Sequence, residues 1–435
     1  MTGCNARVRA AMLGLALCLA VAWSRASALD LRGHGGPVRA IALSDDGRDA
    51  VTASFDSTVI VWSLAQGQAR RVLRFHQGAV NTVVMLAAGR FATAGEDGRI
   101  ALWDRTGTQP GRVLSGHSAP VVSLAASGDG TRLVSASWDG TARLWSLESG
   151  TALVLADHRA NVNGAAFLAS GQVVTAAYDG QLRLFSASGA LLRQWALGVP
   201  ASGLLVTRDD EIVLAMADGS VRFADVARGV HASISVSEAP IVALAASRDG
   251  ALLAAAGFRG ALALIDRAGR RLERRMDGPA FPLWSLAFSP DGREVLTGGA
   301  DRLVRRWSVA TGEPVQPLTG GEGSDVPARL KDHPGAVVFR ACAACHTLTP
   351  ADGNRAGPSL HGLFGRRIAS LAGYDYSPEL RTLDIVWTRE TLGKLFELGP
   401  AAYTPGSKMP EQRVIRAEDR EALADFLAEA QAMLR

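Results

Sequence analysis

Cysteine is scarce. The 435 residues hold four, at Cys4, Cys18, Cys342 and Cys345. Lysine is scarcer still and occurs only at Lys331, Lys394 and Lys408, so arginine carries nearly all the positive charge. That skew is expected of a high-GC bacterial coding bias and says little about partners. Net charge is only +4, which gives no electrostatic footprint for nucleic acid. After the first 28 residues no segment is long and apolar enough to span a bilayer. Clustered carboxylates that could serve as a general acid and base are also missing.

The start of the chain has the pattern of a targeting segment. Arg7 and Arg9 precede an apolar run from Ala10 to Trp23, and Ala26-Ser27-Ala28 has the small-residue form of a cleavage site. The run is short for a membrane span, and there is no twin arginine. Leu17 is too large for the residue before a lipid-modified cysteine. Cleavage after Ala28 removes Cys4 and Cys18 and leaves one cysteine pair, as expected for a protein exported to a bacterial periplasm without structural disulfides. No stable membrane span is expected after that cleavage.

Residues 29–318 repeat. The turn residues Asp56, Asp97, Asp139, Asp179, Asp218, Arg259 and Asp301 recur about every 40 positions, a period that signals a propeller. Six residues after each stand Trp62, Trp103, Trp145, Phe185, Ala224, Ile265 and Trp307. Four residues before each stand Thr52, Thr93, Ser135, Thr175, Leu214, Ala255 and Thr297. His34, His76, His117 and His158 open the first four repeats. The pattern resembles WD40 repeats, which implies seven blades of four short strands. The resemblance also implies that His, Ser/Thr, Asp and Trp tie each blade together with mutual hydrogen bonds, since buried polar groups must find partners. Repeats 5 and 6 lack nearly the whole set, and repeat 7 lacks the His. Either Pro314–Leu318 or Leu29–Arg32 must close the ring. The one histidine outside this pattern in the repeats, His231, reads as a strand-end residue rather than a metal ligand.

Residues 319–331 are a linker by composition, rich in glycine at its start. Beyond it lies Cys342-Ala343-Ala344-Cys345-His346. Two thiols on one helical turn can form thioether bonds to the two vinyl groups of one porphyrin, and the next residue presents an imidazole to the iron. A zinc site would need further ligands, and a redox dithiol has no use for the adjacent His.

Four further stretches follow: Gly357–Arg366, Gly373-Tyr374-Asp375-Tyr376, Ile385-Val386-Trp387 and Pro405–Met409. In this order and spacing, residues 332–435 resemble class I cytochromes c of the mitochondrial type. The resemblance implies one covalently attached haem c, with His346 and Met409 as axial ligands. It implies that the Pro358 carbonyl accepts the Nδ1 proton of His346. It also places Arg366, Tyr376 and Trp387 around the haem propionates, where buried carboxylates need donors. The sequence departs from the family in two places. The span from Trp387 to Met409 is one residue longer, and Phe396 stands where the family has a tyrosine. His361 matches the family pattern as a loop histidine. Helices are expected at about Gly335–Ala341, Arg389–Leu398 and Glu418–Met433. The last carries an apolar stripe of Leu423, Phe426, Leu427, Ala430 and Leu434.

The expected architecture is therefore multi-domain, an all-β seven-bladed propeller followed by an all-α cytochrome c domain. The expected role is single-electron transfer, with the propeller as a docking platform for a redox partner protein and no nucleic-acid partner. The alternative is an oxidoreductase with its own active site in the propeller. Because repeats 5 and 6 lack the hydrogen-bonding set and the linker leaves repeat 7, the haem domain or its partner is expected on the side of blades 5 to 7.

Overall fold

Each repeat of short strands can bury both faces of its sheet only between neighbours, and this dictates a ring. The computed structural model of the chain describes residues 30–155, 158–276, 278–316, 326–349, 355–409 and 412–433. The expected targeting segment at 1–28 and the glycine-rich stretch 319–325 lie outside the described residues, as does Leu434. Seven four-stranded antiparallel sheets form the propeller. Blade 1 comprises Val38–Leu43, Asp49–Ser54, Thr58–Ser63 and Gln68–Arg74, and blades 2 to 6 repeat this order.

The seventh blade settles the closure. Its three strands Leu283–Phe288, Glu294–Gly299 and Leu303–Ser308 take Leu31–Arg32 as their outer partner, with Leu31 opposite Val304 and Arg32 opposite Leu303. Pro314 pairs with the other end of the same strand, opposite Trp307. The Asp30 N–H donates to Gln316 Oε1 at 3.2 Å, so the two segments share one edge in line. Parts of both candidate segments meet this strand, Leu31–Arg32 at one end and Pro314 at the other.

The hydrogen-bonding sets form where the repeats retain them. In blade 1, Thr52 Oγ1 lies 2.6 Å from His34 Nε2 and accepts from Trp62 Nε1 at 2.7 Å, while His34 Nδ1 faces Asp56 at 3.2 Å. Blades 2 and 3 repeat this with Trp103 on Thr93 and Trp145 on Ser135. Blade 7 replaces the missing His with Arg305, which is 5% exposed and reaches Asp301 at 2.7 Å and Asp30 at 3.4 Å. Blade 5 keeps part of its network through Arg222 on Asp218 at 2.8 Å. Blade 6 relies on packing of Leu253, Ala255, Ala263 and Ile265. Blade 5 is thus less depleted than its sequence implies. An arginine four residues after the turn aspartate supplies the second cation-bearing partner.

Five helices form the C-terminal part: α1 Pro334–Ala343, α2 Pro378–Thr382, α3 Arg389–Leu398, α4 Pro400–Tyr403 and α5 Ala417–Met433. His333 caps α1 by accepting from Gly335 N, and Pro334 occupies its first turn, where a missing N–H costs nothing. Thr388 and Thr391 cap α3 reciprocally. Phe339, Leu392, Leu395, Phe396, Leu423, Phe426, Leu427 and Ala430 form the core where α1, α3 and α5 meet.

This helical part rests on blades 1 and 2, which for the haem domain itself corrects the expectation of blades 5 to 7. Ala356 N donates to Gly33 O at 2.7 Å, and Lys408 Nζ donates to His76 O at 2.9 Å. Gln109 Nε2 reaches Asp375 at 3.4 Å. Two of these contacts use backbone carbonyls of the loops that open repeats 1 and 2.

Candidate functional site

The final turn of α1 carries Cys342, and the chain keeps winding past it. The amides of Cys345 and His346 both return to Cys342 O, at 3.0 and 2.9 Å. Two thiols and an imidazole therefore issue from one turn and a half. His346 Nδ1 donates to Pro358 O at 2.8 Å, which fixes the tautomer and turns Nε2 toward the interior. A Cβ on Gly357 would overlap the imidazole, so this backbone packs flat on the ring only because residue 357 is glycine.

A cavity of about 710 Å³ opens beside this turn, within the range of cofactor sites. Cys342, Cys345, His346, Pro358, Arg366, Tyr376, Trp387 and Met409 all line it. The eight residues singled out from the sequence span 68 positions and converge on one space. Met409 arrives from the loop after α4, steadied by its N–H on Ser407 Oγ at 3.1 Å. Trp387 is placed by backbone pairing with Gly365 and Arg366 at 2.9 Å each. The Arg366 fork is braced on the carbonyls of His361 and Ser359, at 2.9 and 2.8 Å.

The cavity's electrostatics follow from burial. Burial pushes the Cys342 thiol up to about 12 and the Cys345 thiol up to about 11. A thiolate nucleophile or metal ligand needs the opposite surroundings. Burial holds His346 below the usual imidazole range, and the nearby guanidinium groups of Arg74, Arg355 and Arg366 add to that. A neutral imidazole is the form that binds a metal. Burial raises the Tyr376 hydroxyl, with Arg366 opposing, so it stays a donor.

These residues fit a covalently held haem. The walls are apolar, through Phe339, Leu360, Leu363, Leu392, Leu395 and Phe396. Donors suited to carboxylates stand at Arg366 and Tyr376. Cys342 and Cys345 are not joined in a disulfide. Among the described residues no group of three His, Cys, Asp or Glu side chains could hold a metal ion. Phe396 does line the cavity at the position where the resembling family has tyrosine. His361 does not line it. His231 stands between Glu211 and Asp225, at 3.7 and 3.8 Å, in an ion-pair cluster with Arg267 and Arg270.

Sequence reasoning missed the cavity's outer wall. Gly35, Asp56, Thr58, Arg74, Phe75, Gln77, Arg99 and Gln109, all from the propeller, line the same space. Tyr374 joins them, its hydroxyl on Ala356 O at 2.7 Å.

Known proteins match each half of this arrangement. The family model "WD domain, G-beta repeat" matches residues 26–63, 67–104, 108–146, 151–186 and 270–308. It passes over the two repeats that lost the hydrogen-bonding set. The C-terminal part is similar to the cytochrome c of Cochliobolus lunatus, 44% identical over 94 residues, covering 21% of this chain and 86% of that protein. It is 44% identical over 96 residues to the cytochrome c of Arabidopsis thaliana, covering 22% of this chain and 85% of that protein. It is 40% identical over 97 residues to that of Stellaria longipes, covering 22% and 89%. With WD40 repeats in its first part, the chain belongs through its C-terminal part to the cytochrome c family.

Proposed function

We propose that this chain is an exported c-type cytochrome. It would carry single electrons on one haem bound covalently through Cys342 and Cys345 and ligated by His346 and Met409. The propeller would serve as the platform on which a redox partner protein docks. The observation that carries the reading is the convergence of these four residues, with Pro358, Arg366, Tyr376 and Trp387, on one apolar cavity. When bound, haem supplies a one-electron iron couple. The chain's own part is to hold and insulate it. Pro358 orients the imidazole, the thioether of Met409 favours the reduced metal, and Arg366 and Tyr376 offer donors to the propionates. Export to a bacterial periplasm rests on residues 1–28 and on the compartment in which c-type haem is attached. Among the described residues no helix is long and apolar enough to cross a membrane.

The test is expression with a c-haem attachment system and fractionation. A single haem that stays with the denatured polypeptide, on a periplasmic chain lacking residues 1–28, supports the reading. Cytoplasmic protein without covalent haem refutes it.

A further inference from the structure

The propeller lines one side of the cleft. On the His346 side, Ala356 N is held by Gly33 O. On the Met409 side, Lys408 Nζ is held by His76 O. Between these clamps a Cβ on Gly35 would overlap Cys345 Sγ, so blade 1 is in van der Waals contact with the second thiol. Arg74, the last residue of blade 1's outer strand, projects into the gap. Its guanidinium lies over the Tyr374 ring, 4.3 Å from the centroid, and its Nη2 donates to Ala356 O. Its Nη1 is buried and has no hydrogen-bond partner among the described residues, and Arg74 lines the cavity. A buried guanidinium nitrogen without an acceptor is costly, and an anionic group of the cofactor would supply one there.

We propose that the haem site is built by both domains: blades 1 and 2 form the fourth wall of the cleft, and Arg74 of the propeller is a haem-site residue that holds its positive charge against the cofactor's anionic edge. This deepens the reading of the chain as a covalent haem carrier and rests on it. The propeller then sets the redox properties of the haem as well as offering a docking surface. A cation beside the haem favours the iron state with one more electron, because attraction is weakly screened in a buried site. A partner cannot reach the Cys345 edge of the cleft while the two domains are clamped.

The experiment is redox titration of the full-length, haem-loaded chain and of Arg74→Gln, Arg74→Lys and Gly35→Leu. Arg74→Gln should lower the reduced-to-oxidised ratio at fixed poise roughly tenfold, a shift of about 59 mV for one electron. Arg74→Lys, which keeps the charge, should recover most of it. Gly35→Leu, which wedges blade 1 off Cys345, should lower the potential with the charge intact. If Arg74→Gln fails to take up haem, Arg74→Lys decides. Uptake restored supports the charge role, and uptake still lost contradicts it. Haem-loaded Arg74→Gln and Gly35→Leu proteins at the parent potential overturn the proposal. A parent chain that carries no covalent haem refutes the underlying reading instead, and shows before any variant is made.

Discussion

Thr52→Val removes one hydroxyl from the centre of blade 1 with almost no change of shape. Thr52 is fully buried. With the His34 Nδ1 proton on Asp56, the His34 Nε2 accepts from the Thr52 hydroxyl, which in turn accepts from Trp62 Nε1. Valine leaves two buried groups orphaned, the indole N–H and the imidazole nitrogen. Each orphan costs about 1–3 kcal/mol, so the propeller should lose roughly 2–6 kcal/mol. The assay is urea unfolding of the propeller followed by far-ultraviolet circular dichroism, with the midpoint compared at constant slope. Trp62→Phe supplies the cross-check. In that background one orphan is already gone, and the cost of Thr52→Val should fall by about 1 kcal/mol or more. A Thr52→Val protein within about 0.5 kcal/mol of the parent, the range of ordinary surface changes, would refute the claim that this network holds the blade. The consequence reaches the haem domain, because Asp56 also accepts from Gly35 N at 2.7 Å and so fixes the loop that abuts Cys345.

Replacing both Cys342 and Cys345 by Ala should abolish covalent haem and the cooperative unfolding of the helical part, while the propeller transition survives; a compact haem-free 332–435 fragment would contradict this. Asp56 is raised by burial but brought down overall to about 2 by His34 and Thr58. Its folded value lies below its unfolded one, so its contribution is complete above about pH 4 and is lost as pH falls toward 2. Asp56→Asn should flatten the acid limb of propeller stability over that window, and an unchanged limb would count against the assignment. Amide exchange should be fastest in the strands of blade 6, which lack a polar set, and slowest in blades 1 to 3; equal protection in all seven would remove any role for the networks.

Much of this was legible in the residues. Trp62, Trp103, Trp145 and Trp307 recur at a fixed distance from a turn aspartate, and all four are among the most deeply buried side chains. The residues that converge on the cavity were legible because Cys342, Cys345, His346 and Met409 each bring a particular side-chain chemistry. The closing edge was legible only as a choice between Leu29–Arg32 and Pro314–Leu318, because Leu31–Arg32 is two residues long, too short for any alternation to show. Two features were not legible. Arg183, Arg222 and Arg305 sit where blades 1, 2 and 6 have Ile60, Ala101 and Ala263, and a strand arginine reads as solvent-facing until its aspartate partner is placed. The seat of the haem domain depends on the carbonyls of Gly33 and His76, and a backbone carbonyl leaves no mark in a sequence. Missing side-chain networks in blades 5 and 6 pointed to the wrong side for that reason.

A haem held by Cys342 and Cys345 and ligated by His346 and Met409 is tested most directly by the absorption spectrum of the ferric protein beside that of Met409→Ala. The expected result is a weak long-wavelength band of methionine-sulfur ligation in the parent, its loss in the variant, and a lower potential. A Met409→Ala spectrum identical to the parent's would contradict it.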